Sequence, residues 1–255
     1  MRFLGLGLSD RVPAANTIWL FRESLTKAET IDLLFGLFDD TLRQSGSLAR
    51  GGQLLDASIV LSPRQRMRQE EKGIIKAGGV PEDWKARPSK LSQKDRDARW
   101  RVKQGRKPQK EKKGVQEIMF AIPYFGYKNH LSTDRRHGWI RRWTVSQAAS
   151  YDGDKLPDLL DKDNTASPVW ADTAYGSEKN QRYLEEQGFF SKSHFKRQKG
   201  KPLSKRQAQG NTQRSKVRAP SEPCLWISEK RYEPFYSFHR TCTRQNKGWT
   251  GKSRL

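Results

Sequence analysis

Gly51-Gly52-Gln53-Leu54-Leu55-Asp56-Ala57-Ser58-Ile59-Val60 reads as a β-strand released by a pair of glycines. Its apolar residues suit a buried place in a sheet, yet a carboxylate, Asp56, stands in the middle of the run. A charge inside a buried strand is costly unless a partner or a metal takes it up. Asp56 therefore asks for a functional reason. Its other reading is a solvent-facing carboxylate on an edge strand.

The pattern returns downstream. Ala166–Ala174, with Pro168-Val169-Trp170-Ala171-Asp172-Thr173-Ala174, is again apolar with an embedded Asp. Around these two runs the sequence predicts strands at Ile118–Ala121, Gly126–Ser132 and Gly138–Val145, with Asp134-Arg135-Arg136-His137-Gly138 as the turn between the last two. Helices are expected over 154–162, over 177–187 with Gly188 as its C-terminal cap, and from about 204 through 218 and beyond. Phe189–Phe195 is the last expected strand. Helices between the later strands indicate an α/β core with a partly parallel sheet.

Upstream of Gly51 the chain reads as helical. Asn16 is the expected cap of a first helix through Leu25, and Ile31, Leu34, Phe35, Phe38 and Leu42 mark a second at three- and four-residue spacing. Two short helices with a tight joint suit plain packing or a DNA-reading pair.

The chain of 255 residues carries 50 Lys+Arg against 28 Asp+Glu, a formal charge of +22. The excess is concentrated. Residues 61–114 hold 18 Lys/Arg and 7 acids, and 191–218 hold 10 Lys/Arg and no acid. Such a surface favours a polyanion, because neutralising phosphates releases condensed counterions. A basic solvated linker is the plainer reading. Residues 61–114 lack sustained periodicity and carry Gly78-Gly79, Pro81, Pro88 and Pro108, so they are expected to form a long basic insertion outside the core. Trp84 and Trp100 within it either stack on bases or anchor the insertion, anchoring being the commoner fate.

Several classes are excluded. No apolar run approaches the ~18 residues of a transmembrane helix. Cys224 and Cys242 cannot make a disulfide framework or a zinc site. No G-x-x-x-x-G-K-[ST] loop points to ATP. His130, His137, His194 and His239 make no ligand-like cluster and read as surface or strand residues. The expectation is a soluble polycation of a reducing compartment.

Asp56 and Asp172, with Glu222 from the last basic helical region, offer three hard oxygen donors of the kind that suits Mg²⁺. Spacing alone says little, since 28 acids offer many triples. A resemblance says more. Gly51–Val60, Phe125-Gly126-Tyr127-Lys128-Asn129-His130, Asp163-Asn164-Thr165-Ala166-Ser167, Val169–Tyr175 and Arg214-Ser215-Lys216-Val217-Arg218-Ala219 resemble bacterial insertion-sequence transposases of the family named after insertion sequence five. The resemblance covers roughly residues 1–222, in order. It implies an RNase H-like mixed sheet flanked by helices, with the long basic insertion after the first strand and a short N-terminal helical segment. It also implies a DDE triad at Asp56, Asp172 and Glu222, acting as catalytic residues and as ligands of Mg²⁺ (or Mn²⁺). The implied work is metal-dependent cutting and joining of transposon ends. The implied partner is double-stranded DNA, held by a homodimer in the bacterial cytoplasm at the nucleoid. Lys192, Lys196, Arg197, Lys199, Arg214, Lys216 and Arg218 are the expected DNA-binding residues.

The pattern departs from the family in places. Ser215 stands where many members have Tyr, and Glu229 where they have Lys. More helical residues usually precede the position of Met1, so an internal start is expected. Residues 223–230 can be encoded so that a one-nucleotide shift yields His-Val-Phe-Gly-Phe-Arg-Lys, which resembles the segment directly after the family's glutamate. A one-base insertion after codon 222 would make 223–255 an out-of-frame tail and the chain a decayed copy. The expected organisation is thus a helical segment over 1–50, a catalytic domain over 51–222 and that tail. The competing reading is a non-enzymatic basic nucleic-acid-binding protein.

Overall fold

The computed structural model describes residues 12–47, 49–111, 114–197 and 201–219, with side chains left out over 106–119. Among the described residues the chain divides into two units, residues 12–46 and residues 47–219. Among the described residues the first unit consists of α1 (Ala15–Lys27) and α2 (Ile31–Gln44). Both helices form near the expected positions, α2 where the apolar spacing predicts it. Asn16 lies inside the first turn of α1, whose N-cap is Ala14 without a side-chain bond. Pro13 in the preceding position, unable to donate a backbone hydrogen bond, suits the point where a helix begins.

The second unit is a six-stranded mixed sheet with short helices. Its elements are β1 (Gln53–Leu61), α3 (Gln69–Lys76), α4 (Glu82–Lys85), α5 (Pro88–Gln93), β2 (Arg99–Glu111), β3 (Gly114–Asp134), β4 (Ile140–Gln147), α6 (Leu156–Leu159), β5 (Pro168–Trp170), α7 (Glu178–Glu186), β6 (Phe190–Ser191) and α8 (Lys205–Arg218). β3 is the spine. It pairs antiparallel with β1 on one edge, and with β4 and β2 end to end on the other. β5 and β6 extend the sheet in parallel beyond β1.

Three expectations change here. The two strands expected at 118–121 and 126–132 are one 21-residue strand, β3. The excursion after β1 ends at Ala98, because Arg99–Glu111 joins the sheet as β2. The strand expected over 166–174 is paired only at Pro168–Trp170.

The excursion before β2 is anchored. Trp84 is fully buried, and its Nε1 donates to Glu71 Oε1 at 2.7 Å. Asp95 accepts from the Tyr127 hydroxyl at 2.6 Å and from the backbone N–H groups of Asp97 and Ala98. Thus Trp84 anchors, whereas Trp100 is half exposed against Phe125 and the Arg64 guanidinium.

The main core lies under one face of the sheet. Leu55 packs there with Leu156, Leu159, Leu160, Val169, Ala171, Tyr175, Leu184 and Phe189. The β1–β5 register is locked by two amide side chains, one from the loop before β5 and one from the start of β1. Asn164 accepts from the Gly52 N–H and donates to the Gly52 carbonyl, and Gln53 makes the same kind of double bond with the backbone of Asp161. Each amide copies one rung of a β-ladder. Gly52 is obligatory, at φ +90° with a Cβ position only 2.3 Å from the Pro168 carbonyl oxygen.

Candidate active site

In the parallel pair β1–β5, Leu54 lies opposite Trp170. Asp56 and Asp172 each come two residues later. Side chains alternate along a strand, so both carboxylates leave the sheet at the same step and toward the same side. The spacing within each run and the Asn164 and Gln53 clamps together produce this juxtaposition.

Asp56 sits in a half-buried setting. Its Oδ1 accepts the Ala57 N–H at 2.8 Å, and its Oδ2 accepts from the Arg218 guanidinium at 2.9 Å. Burial pushes its carboxyl above the usual range; Arg218 and the Ala57 N–H pull the other way, and the charge of Asp172 adds to the rise. Asp172 is exposed, past the end of β5. It caps the 3₁₀ turn Thr173–Tyr175, where its Oδ1 accepts the Thr173 backbone N–H and the Thr173 hydroxyl. That turn buries Tyr175 beneath the pair. Its hydroxyl has no hydrogen-bond partner among the described residues, and burial raises its pKa, with Asp152, Asp56 and Asp172 adding to the rise.

Helix α8 is fastened across the ends of β5 and β6. Ser204 and Gln207 form a capping box at its start. Asn211 bonds both the N–H and the carbonyl of Phe195. Arg214 donates to the Ser193 carbonyl, and its guanidinium lies 4.0 Å from the centre of the Phe195 ring. His194 joins the helix at two points, contacting Ser215 Oγ at 3.0 Å through Nε2 and Arg218 at 3.3 Å through Nδ1. A guanidinium only donates, so Nδ1 accepts and the Nε2–H donates to Ser215.

These placements sort the expected site residues. Asp56 and Asp172 come together; Glu222 lies outside the described residues, as do Lys199 and the tail 223–255. Arg214 and Arg218 are engaged inside the chain. Lys196, Arg197 and Lys216 are exposed, and Lys192 has its ammonium 5.1 Å from the centre of the Phe190 ring. Among the described residues no group of three His, Cys, Asp or Glu side chains could hold a metal. His194, read from sequence as a surface or strand residue, stands in the part-exposed segment after β6, and its links to Ser215 and Arg218 had no sequence signal.

The model of the Transposase DDE domain family matches residues 82–234, more than half of the chain. The chain belongs to this family. The matched span takes in Asp172 and Glu222 and begins after Asp56. The chain is also similar, at 26% identity over 204 residues, to the transposase for insertion sequence element IS1106 of Neisseria meningitidis serogroup B. That alignment covers 78% of this chain and 61% of the relative, so the chain spans about three fifths of that transposase. No solved structure matches it. No helix among the described residues is long and apolar enough to cross a membrane.

Proposed function

We propose that this chain catalyses metal-dependent cleavage and strand transfer of insertion-sequence ends, with Asp56, Asp172 and Glu222 as its catalytic carboxylates. The observation that carries the reading is that Asp56 and Asp172 each stand two residues past the paired Leu54 and Trp170 of parallel neighbours, in a chain of the transposase DDE domain family. The sheet order β4-β3-β1-β5-β6, with its first three strands antiparallel and the rest parallel, supports an RNase H-like core. The sequence motifs favour the insertion-sequence-five family, with double-stranded DNA as partner, a homodimer on it, and the bacterial nucleoid as location.

The donors fit a hard divalent cation. Burial raises the cost of ionising Asp56, and the nearby charge of Asp172 adds to it, a cost that a cation would offset. Asp56 and Asp172 would hold Mg²⁺ or Mn²⁺ together with Glu222, four residues after Arg218 in the sequence. When bound, such ions activate the attacking oxygen and neutralise the leaving one in phosphoryl transfer. Asp56 supplies an oxygen already oriented by the Ala57 N–H. Arg218, which donates to Asp56 Oδ2, balances the charge of the carboxylate. His194 holds Arg218 from the far side and fixes the helix that leads to Glu222.

The test is strand cleavage of a duplex bearing a transposon end, in Mg²⁺, with Asp172→Asn beside the unaltered chain. We expect the variant to lose at least ~100-fold in cleavage while keeping its DNA affinity, since catalysis depends on ligand geometry. Binding by both without metal-dependent cleavage by either would favour the non-enzymatic nucleic-acid-binding reading. A companion comparison restores the frame by deleting one base after codon 222. Pro223 disfavours helical geometry in the residue before it, so the restored chain should cleave better. Equal, robust cleavage would show that the frame after Glu222 has no consequence.

A further inference from the structure

The sheet does not end where its core ends. β3 is flanked by β1 and β4 only from Gly126 onward, and before that point β2 is its one neighbour among the described residues. Residues 99–111 and 114–125 therefore form a two-stranded ribbon. Twelve rungs at ~3.3 Å carry it ~40 Å past the sheet. A lone hairpin of this kind is marginal in water. This one also exposes Val102 (53%), Trp100 (49%), Phe120 (41%) and Ile122 (37%). It is built to lie against something.

The two strands are chemically unequal. β2 is Arg-Trp-Arg-Val-Lys-Gln-Gly-Arg-Lys-Pro-Gln-Lys-Glu, with six cations in thirteen residues, whereas β3 from Gly114 to Phe125 has none. The register is unbroken, so directly paired residues share a face. Arg101, Lys103 and Gly105 lie on one face beside Tyr124, Ile122 and Phe120. Arg101 and Lys103 are exposed, and neither has an acidic partner among the described residues. The Phe120 ring lies over Gly105, where a Cβ would come within 2.5 Å of it, so the face stays low at its centre.

We propose that this ribbon enters the major groove of double-stranded DNA, presenting the Arg101–Lys103 face with Ile122 and Phe120. This rests on the proposed function only in taking double-stranded DNA as the partner. Two strands ~4.8 Å apart with side chains on both faces make a body about 10 Å across. That suits the ~12 Å major groove and exceeds the ~6 Å minor groove. Cations along one strand track a phosphate backbone, and the apolar partners meet thymine methyl groups. A second copy of the chain would place like charges against each other across the same face, which disfavours it.

The experiment measures binding of the full chain to a fixed duplex in chelator, where cleavage plays no part. Arg101→Ala with Lys103→Ala should weaken binding about tenfold or more at low salt. It should also lower the slope of log affinity against log salt by about 2, one for each phosphate no longer neutralised. The charge reversal Arg101→Glu with Lys103→Glu should weaken binding further, and both variants should keep the circular dichroism of the parent. Methyl green, which occupies the major groove, should displace the chain; netropsin, which occupies the minor groove, should not. An unchanged salt slope, or displacement by netropsin alone, overturns the proposal. Loss of self-association in sedimentation with DNA affinity intact overturns it in favour of a second copy. Absent cleavage with ribbon-dependent binding would break the proposed chemistry alone, and robust cleavage with ribbon-independent binding would break the ribbon alone.

Discussion

The two ends of β3 live in different environments. At its C-terminal end Leu131 lies opposite Asp56 in a sheet five strands wide, over a core in which Leu55, Leu156, Leu159 and Val169 have no exposure at all. At its N-terminal end the same strand has one neighbour and displays Phe120 and Ile122 to solvent. One backbone thus serves two purposes. Where packing is complete, a carboxylate, Asp56, is held in the sheet and burial disturbs its ionisation. Where packing is absent, the side chains are free to meet a partner.

The contrast can be broken by energetics. Leu55→Ala removes a fully buried side chain, and should cost about 2–5 kcal/mol in urea unfolding. Val102→Ala, on the open ribbon, should stay within about 0.5 kcal/mol. Equal losses at the two sites would mean that the ribbon is packed in solution and that the two ends of β3 do not differ.

A titration sharpens the same contrast on the closed side. His130 is fully buried with Nε2 bonded to Ser146 Oγ at 2.7 Å, and burial pushes its pKa down to about 4. The imidazole folds neutral. Its contribution to stability is present above the ordinary value of 6.5 and lost as pH falls toward 4. Over that window the chain should lose on the order of 3 kcal/mol through this group. His130→Gln should flatten that acid limb, and an unchanged pH profile would remove His130 as its cause.

The smallest effect concerns Asp56. Its raised pKa means that the neutral form is favoured on folding. The carboxyl contributes stability below the ordinary 3.8, which is lost as pH rises through the higher folded value. Asp56→Asn should therefore melt slightly higher than the parent at neutral pH. A lower melting temperature would show that the Arg218 pair outweighs burial.

How much of this is legible in the sequence depends on where each signal resides. Asp56 and Asp172 announce themselves because a charge in an apolar run is a local anomaly. The helix at 178–186 and its Gly188 stop are equally local, as is the cap at Ser204. β3 reads as two strands because Pro123 and Gly126 punctuate it. Pro123 is tolerated where the strand has only one neighbour, and a missing N–H on an open edge leaves no partner unpaired. Gly126, at φ +152°, marks the junction where β1, β2 and β3 meet. The basic composition of 99–111 hides β2, since its pairing comes wholly from β3. His194 gives no signal because its partners stand 21 and 24 residues away on another element.

The continuity of β3 also makes it a ruler. From Phe120 to Leu131, opposite Asp56, eleven steps of extended chain set ~36 Å between the ribbon face and the carboxylates. A strand shortens only in whole residues, and a single-residue change would turn every side chain to the other face. Removing two residues from each strand of the ribbon would keep the faces and shorten the reach by ~7 Å, close to two base pairs at ~3.4 Å each. The distance between gripping and cutting would then be written in the length of one strand, and it would change in steps of two base pairs.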